Sequence, residues 1–395
     1  MRSRTQALKI GLLWHSLRAG NLGVGALTLG NIAIIRDVAR ELGIDVDLVV
    51  LSMRENSTAS IAPGVPQYVI DGRTMFSPSG FRRELAMLDC VIDIGAGDSF
   101  TDIYGAKRYL YLWLSKQMAL WMKKPLILAP QTIGPFTKPV YTQTAAHVLN
   151  GATAVVARDP ASLEALGKLA PKADARLAVD VAFVLPYADR SAERGGHPIR
   201  VGINASGLLC SQAENGQNRF GLSYDYLKLQ RRLIEYWQAS GDAEVHLVTH
   251  ANSVDRPADN DGHFADRLAA EYPGTIRVPD FAGPSEAKSY ISSLDFLVAG
   301  RMHACIGAFS AETPVVPLAY SRKFDGLFSM LDYPWLTPVD GMSDDEAFAF
   351  VIDAFEKRDT LRAAETAGMQ QVDRMLDGYR DVLRTSFRAL ADGKG

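Results

Sequence analysis

Short runs dense in Val, Ile and Leu recur along this chain between longer amphipathic stretches, and that alternation constrains the fold more than any other feature. "LKIGLLW", "DVDLVVLS", "DCVIDIGAG", "PLILAPQTIG" and "TAVVARD" are short and apolar almost throughout. Near-continuous apolarity implies burial on both faces, the condition of a strand in a parallel sheet covered by helices. Between these runs, "ALTLGNIAIIRDVARELG" reads as a helix closed by Gly43, and residues 106–124, "AKRYLYLWLSKQMALWMKK", as another. The Tyr, Leu, Trp and Met of the second suit membrane contact, but packing in a core or at a domain interface is the preferred reading.

After "DVAFVLPYADRSAERGGHPIR" the pattern restarts with "IRVGINAS", "AEVHLVTH", "TIRVPD", "LDFLVAG" and "PVVPLAY", separated by helix-like segments such as "YDYLKLQRRLIEYWQAS" and "DGHFADRLAAEY". A chain of 395 residues is long for one core. Two consecutive βαβ arrays predict two doubly wound α/β domains facing each other, over residues 1–187 and 199–342. Proline, paired glycine and scattered charge make 188–198 the linker. Residues 343–395 read as a C-terminal tail of two helices.

The formal charge of −3 gives the chain no global attraction for nucleic acid or an anionic membrane, so any bound anion needs a local cluster. Three cysteines without metal-ligand spacing argue against a disulfide framework or a zinc site. The apolar run at the N-terminus is short and broken by His15, so it reads as a first strand rather than a signal peptide. No stretch reaches the ~20 apolar residues that span a bilayer. No transmembrane segment and a reducing cytoplasm are therefore expected.

In open α/β sheets, ligands sit beyond the carboxyl ends of the strands. Five such ends carry unusual residues here. "WHSLRAGNLGVGALTLG" puts Asn21, Gly23 and Gly25 between strand and helix, where glycines serve either a backbone approach to a ligand or a turn. "DIGAGDSFTD" offers Gly97, Asp98 and Ser99; Asp98 either contacts hydroxyls and takes a proton or caps the next helix. In "APQTIGPF", Gly-Pro makes a bend that exposes Gln131 and Thr132, with a structural turn as the preferred reading. In "VVARDPASLEAL", Asp159 and Pro160 start a helix, which leaves Arg158 at the sheet edge as either a surface arginine or, the preferred reading, an anion-binding one. Lastly, "LDFLVAG" runs into "RMHACIGAFSAE" and then "TPVVPLAY", ending at Lys323. Arg301 and His303 then fall in the first helical turn, where the dipole favours negative charge. Three cationic or protonatable groups at one edge suit a small, multiply charged anion, a reading preferred over independent surface residues.

The ordered set resembles the polysaccharide pyruvyl transferases: an Asn-x-Gly first loop, "GAGDSF", "QTIGPF", "ARDPASLEAL", then Arg-x-His, a buried strand and Tyr-x-x-Lys, over about residues 10–330. The resemblance implies a fold similar to the GT-B glycosyltransferases, two Rossmann-like domains across a cleft. It also implies transfer of pyruvate from phosphoenolpyruvate to two hydroxyls of a sugar as a cyclic ketal. Carried over by motif, Arg158, Arg301, His303 and Lys323 are the donor-binding and catalytic residues. The sequence departs from the family's pattern at Val24, Gly25 and Ala96.

On this reading Arg158 and Arg301 clamp the anion, Lys323 takes the phosphate, and His303 is the general acid for the enol methylene. A buried, structural His303 is the alternative. Asp98 is the candidate base for the acceptor hydroxyl. Asn21, Gly97, Ser99, Gln131 and His250 complete the acceptor contacts, His250 from the second domain. Neither metal nor cofactor is required. The partners expected are phosphoenolpyruvate and a sugar acceptor, with peripheral contact at the inner face of a membrane if that acceptor is lipid-linked. Two rival readings are a GT-B glycosyltransferase using a nucleotide sugar and a non-catalytic glycan-binding protein.

Overall fold

The computed structural model describes residues 7–18, 20–55, 60–97, 99–252 and 257–393. The chain divides into two compact units. The first takes Met1–Ala19, Leu27–Val184 and Asp373–Gly395; the second takes Gly20–Ala26 and Leu185–Val372.

The first unit is built on one parallel sheet: β1 (Leu8–Leu13), β2 (Val46–Ser52), β3 (Gln67–Val69), β4 (Cys90–Asp93), β6 (Leu126–Ile133), β7 (Ala154–Ala157) and β8 (Ala175–Leu177), in the order β3-β2-β1-β4-β6-β7-β8. A two-residue strand, β5 (Ser99–Phe100), pairs with β6. Every residue of β4 and β7 is buried, as a strand covered on both faces requires. A fully buried Val, Leu or Ile contributes about 1.5–3 kcal/mol through its removal from water.

The second unit repeats the plan with β9 (Ile199–Asn204), β10 (Ala243–Leu247), β11 (Ile276–Arg277), β12 (Phe296–Ala299) and β13 (Val315–Pro317), all parallel, in the order β11-β10-β9-β12-β13. Strand order reverses at β1/β4 in one unit and at β9/β12 in the other. Such reversals open a crevice at the carboxyl ends of the flanking strands.

The linker, the tail and the first helix each carry contacts that the local pattern does not show. The linker residue Arg194 is anchored to the second unit, donating to the carbonyls of Ser292, Glu312 and Ala311 at 2.7 Å and to Thr313 Oγ1 at 2.8 Å. The tail forms helices Asp344–Glu356 and Arg358–Asp392, and its residues divide between the units after Val372. Helix Leu22–Leu42 is, by length and composition, apolar enough to cross a membrane, contrary to the expectation from the sequence. Yet 72% of its most apolar window is buried in the fold.

That helix also carries buried polar groups with specific partners. Tyr379 in the tail donates to Asn31 Oδ1 at 2.7 Å, and the Asn31 amide lies 2.8 Å from His15 Nε2. His15 Nδ1 is 3.1 Å from the Leu13 carbonyl, which can only accept, so Nδ1 carries the proton and Nε2 accepts. Burial pushes the His15 pKa down to about 4. His15 is a neutral strut at the end of β1.

Candidate functional site

At the switch point of the second unit, three buried polar residues lock together. Asn204, the last residue of β9, accepts the Arg301 backbone N–H through Oδ1 at 3.1 Å and donates through Nδ2 to Asp261 Oδ2 at 3.1 Å. Asp261 opens the helix Asp261–Glu271 and is fully buried. Its Oδ1 accepts from Arg301 Nη2 at 2.7 Å, Arg301 Nε at 3.0 Å and the Gly207 N–H at 2.8 Å. Its Oδ2 takes the backbone N–H groups of His250 and Ala251. One carboxylate thus fixes the ends of β9, β10 and β12.

Arg301 is the N-cap residue of helix Met302–Phe309. Its Nη2 also meets Asp259 Oδ1 at 2.7 Å. Burial alone would lower its pKa, but the Asp261 and Asp259 carboxylates outweigh that and hold it above the ordinary arginine value. The edge of the guanidinium bearing Nε and Nη2 is therefore engaged within the unit.

His303 is the second residue of the same helix, as expected. The Asn21 segment lies against it. Asn21 pairs with Ala251 as an antiparallel bridge, Leu22 N–H donates to the His250 carbonyl at 3.2 Å, and Asn252 N–H donates to Gly20. Asn21 Oδ1 accepts the Gly23 N–H at 2.9 Å and so caps helix Leu22–Leu42. Gly23 and Gly25 are helical rather than in a loop. A Cβ at Gly23 would lie 2.4 Å from His303 Nδ1, so only glycine lets the imidazole rest against that helix end.

His250 is buried, and burial pushes its pKa down to about 3; the His303 and Arg301 charges push the same way and Asp261 opposes them. A neutral imidazole of that pKa is a poor base. Lys323 does not end a strand: β13 stops at Pro317, and Lys323 is the second residue of helix Arg322–Ser329, whose N-cap is Ser321. Since β12 and β13 are neighbouring parallel strands, the helices after them start at the same sheet edge. His303 and Lys323 occupy equivalent second positions in the two. Helix Leu22–Leu42 is tied to the same edge through His250 and Ala251.

In the first unit, Arg158 follows β7. It donates from Nη1 to Asp180 Oδ2 at 2.8 Å and from Nε to Thr132 Oγ1 at 3.0 Å. Asp159 caps the next helix on the Ser162 N–H, as its sequence signals. Gln131 is not exposed. It is buried at the end of β6, and its Nε2 donates to Asp93 Oδ2 at 2.9 Å. Asp93 in turn pairs with Lys116 at 2.9 Å, both side chains fully buried. Gly97 ends the turn Gly95–Gly97, in which Gly95 and Ala96 have φ of 66° and 59°. Ser99 is buried in β5, and Asp98 lies outside the described residues.

Asp261 and Asp180, the partners of the two arginines, were missed by sequence reasoning. "DNDGHF" signals only a helix start, and "AVDVAF" only the end of an apolar run.

A family model described as polysaccharide pyruvyl transferase matches residues 29–322. The amylovoran biosynthesis protein AmsJ of Erwinia amylovora is 24% identical over 329 residues, which cover 77% of this chain and 75% of that protein. Among solved structures, Anabaena HepE in complex with UDP and glucose is similar with a TM-score of 0.53 at 13% identity, covering 98% of this chain and 99% of that one. The spinosyn forosaminyltransferase SpnP gives 0.53 at 11%, with 98% and 100% covered. A UDP-N-acetylglucosamine 2-epimerase gives 0.52 at 13%, with 95% and 96% covered. At such identities the likeness is one of fold, that of the GT-B glycosyltransferases and the related epimerases.

Proposed function

Because the chain belongs to the polysaccharide pyruvyl transferase family, a family of transferases in polysaccharide biosynthesis, we propose that it moves the pyruvate unit of phosphoenolpyruvate onto two hydroxyls of one sugar as a cyclic ketal, releasing phosphate. The observation that carries this reading is the pairing of His303 and Lys323 at the second positions of two helices that start at one sheet edge. A cation in a first helical turn opposes the dipole, and an anion bound there reverses the sign of that interaction.

The chemistry then follows from the residues. Lys323 and the helix N–H groups neutralise phosphate. Arg301, fixed by Asp261 and Asp259, acts chiefly by positioning the His303 turn. For Arg158 the support is the family pattern and its place beyond β7. His303 protonates the methylene carbon, and the resulting oxocarbenium-like centre takes a sugar hydroxyl, whose proton passes to a base. The bond to phosphate breaks with its electron pair leaving on phosphate. The second hydroxyl closes the ring and loses its proton. A histidine suits the first step because its ordinary pKa lies near neutrality. The donor is a cytoplasmic metabolite, so the reaction belongs there, at the inner face of the membrane where the acceptor is lipid-linked.

The test is incubation with polysaccharide precursors and either phosphoenolpyruvate or UDP-sugars. Release of phosphate together with a pyruvyl mass gain on the acceptor supports the reading. Consumption of a UDP-sugar instead would transfer the site to the nucleotide-sugar reading. Sugar binding with neither donor consumed would make the protein a glycan binder.

A further inference from the structure

Helix Ala106–Trp121 of the first unit buries one side in the core yet keeps large apolar side chains on the other. Its inward side carries Tyr109, Leu112, Ser115, Lys116 and Ala119, all buried; Ser115 Oγ accepts Trp14 Nε1 at 2.9 Å, and Lys116 pairs with Asp93. The 3.6-residue period puts Lys107, Leu110 and Trp121 on the opposite side. Leu110 is 44% and Trp121 65% exposed. The patch continues into the neighbouring loops. Asp102 accepts the Thr137 N–H and hydroxyl at 2.8 Å, which ties the loop of Ile103 and Tyr104 to the segment that leads into Lys138 and Val140; Ile103 is 53% and Val140 57% exposed. Of nine exposed large hydrophobic side chains among the described residues, eight are in this unit, and Tyr236 alone is in the other.

Charge identifies the occupant. From Ile103 to Arg158 the chain has no Asp or Glu, although it has 45 in all. Lys107, Lys123 and Lys138 are exposed within that stretch. A net charge of −3 therefore conceals a cationic, apolar face with Tyr and Trp at its ends, the composition that suits the surface of an anionic bilayer. The helix starts at the carboxyl edge of its sheet, so the apolar tip formed by Ile103, Tyr104 and Val140 lies where that sheet's ligands would enter. We propose that this face docks the protein on a lipid bilayer bearing anionic headgroups and brings the first unit's strand ends to lipid-linked acceptors. Docking itself does not depend on which donor the enzyme uses.

The experiment is co-sedimentation of the full chain with phosphatidylcholine vesicles, with and without phosphatidylglycerol. We expect binding only to the anionic vesicles, weakening as salt rises, and a loss of about tenfold or more for Leu110→Glu/Val140→Glu. Lys107→Glu/Lys138→Glu, at two exposed positions, should weaken binding comparably with circular dichroism unchanged. Undiminished binding by both variants, or no binding to anionic vesicles, overturns the proposal. So does a concentration-dependent dimer that Leu110→Glu dissociates in a protein indifferent to vesicles, which would give the face to a second copy of the chain.

Discussion

Asp261 and Arg301 meet through two hydrogen bonds, at 2.7 and 3.0 Å, where the strand order of the second unit reverses. The pair is buried, and the other carboxylate oxygen holds the backbone of His250 and Ala251. Removing one partner of a buried pair leaves an uncompensated charge at about 3–5 kcal/mol. Asp259 keeps part of the Arg301 charge compensated, but the Gly207, His250 and Ala251 N–H groups lose their acceptor, so Asp261→Ala should still lower stability by about 3 kcal/mol in urea denaturation. Asp261→Asn keeps the shape but loses charge. It should fold and yet lose turnover, with donor affinity less affected. Unchanged kinetics in Asp261→Asn would reduce this residue to a scaffold.

His303 rests on Gly23, and that contact separates catalysis from packing. His303→Gln should lower turnover by about 10²–10⁴ while phosphoenolpyruvate still binds. Gly23→Ala should displace the imidazole, because the new methyl would lie 2.4 Å from Nδ1, and should mimic the loss without altering any titratable group. Calorimetric donor affinity beside single-turnover rates checks both. Near-normal turnover in His303→Gln would remove the general acid.

For Lys323, the expectation is a binding defect. A half-buried point charge in the first turn of its helix opposes the helix dipole, and a bound anion reverses that sign. Lys323→Ala should raise the donor Kd by roughly tenfold or more, about 1.4 kcal/mol, with stability within about 0.5 kcal/mol of wild type. Donor affinity equal to wild type would exclude Lys323 from the phosphate site.

The elements could be read where local pattern and burial coincide. β4, β7 and β12 are apolar runs because both faces are covered. β3 and β8 leave no such signature, because they are three-residue edge strands, partly exposed, and carry no apolar run. β13 was read too long because "LAY" stays apolar after Pro317, where the strand ends. The site was legible in its cations, which are anomalous at helix starts, but not in the groups that hold them. Asp261 resembles an ordinary helix-start acid until β9, β10 and β12 converge on it. Gly23 resembles a loop glycine until His303, far along the chain, packs against it. Those roles depend on contacts that no local pattern encodes.

Lys116 and Asp93 make a second buried pair, near the Gly95–Gly97 turn. Burial lowers the lysine pKa and the Asp93 charge opposes that shift. Lys116→Ala leaves the carboxylate alone and opens a gap beside Phe100, whose ring lies 4.6 Å from Nζ. A loss of about 3–5 kcal/mol is expected, whereas Lys116→Met/Asp93→Asn should recover most of it. A double variant no more stable than the single one would mean that the charges themselves, not their pairing, hold the turn.

Acid should weaken the fold well before its carboxylates titrate. The His15 pKa is pushed down to about 4 by burial, from an ordinary 6.5, while the unfolded chain keeps the ordinary value. Between those values the unfolded state binds a proton that the native state refuses, so stability falls as pH drops through the window and levels off below it. At about pH 5 this group alone should have cost about 2 kcal/mol relative to pH 7.5. His250, pushed down to about 3 chiefly by burial, acts with the same sign in the second unit. Urea denaturation across that range should show the decline, and His15→Gln, unable to titrate, should flatten it while weakening the link through Asn31 to Tyr379. If stability holds constant down to about pH 5, the buried imidazoles must gain a compensating partner on protonation, which the fully buried Leu13–His15–Asn31 arrangement has no room to supply.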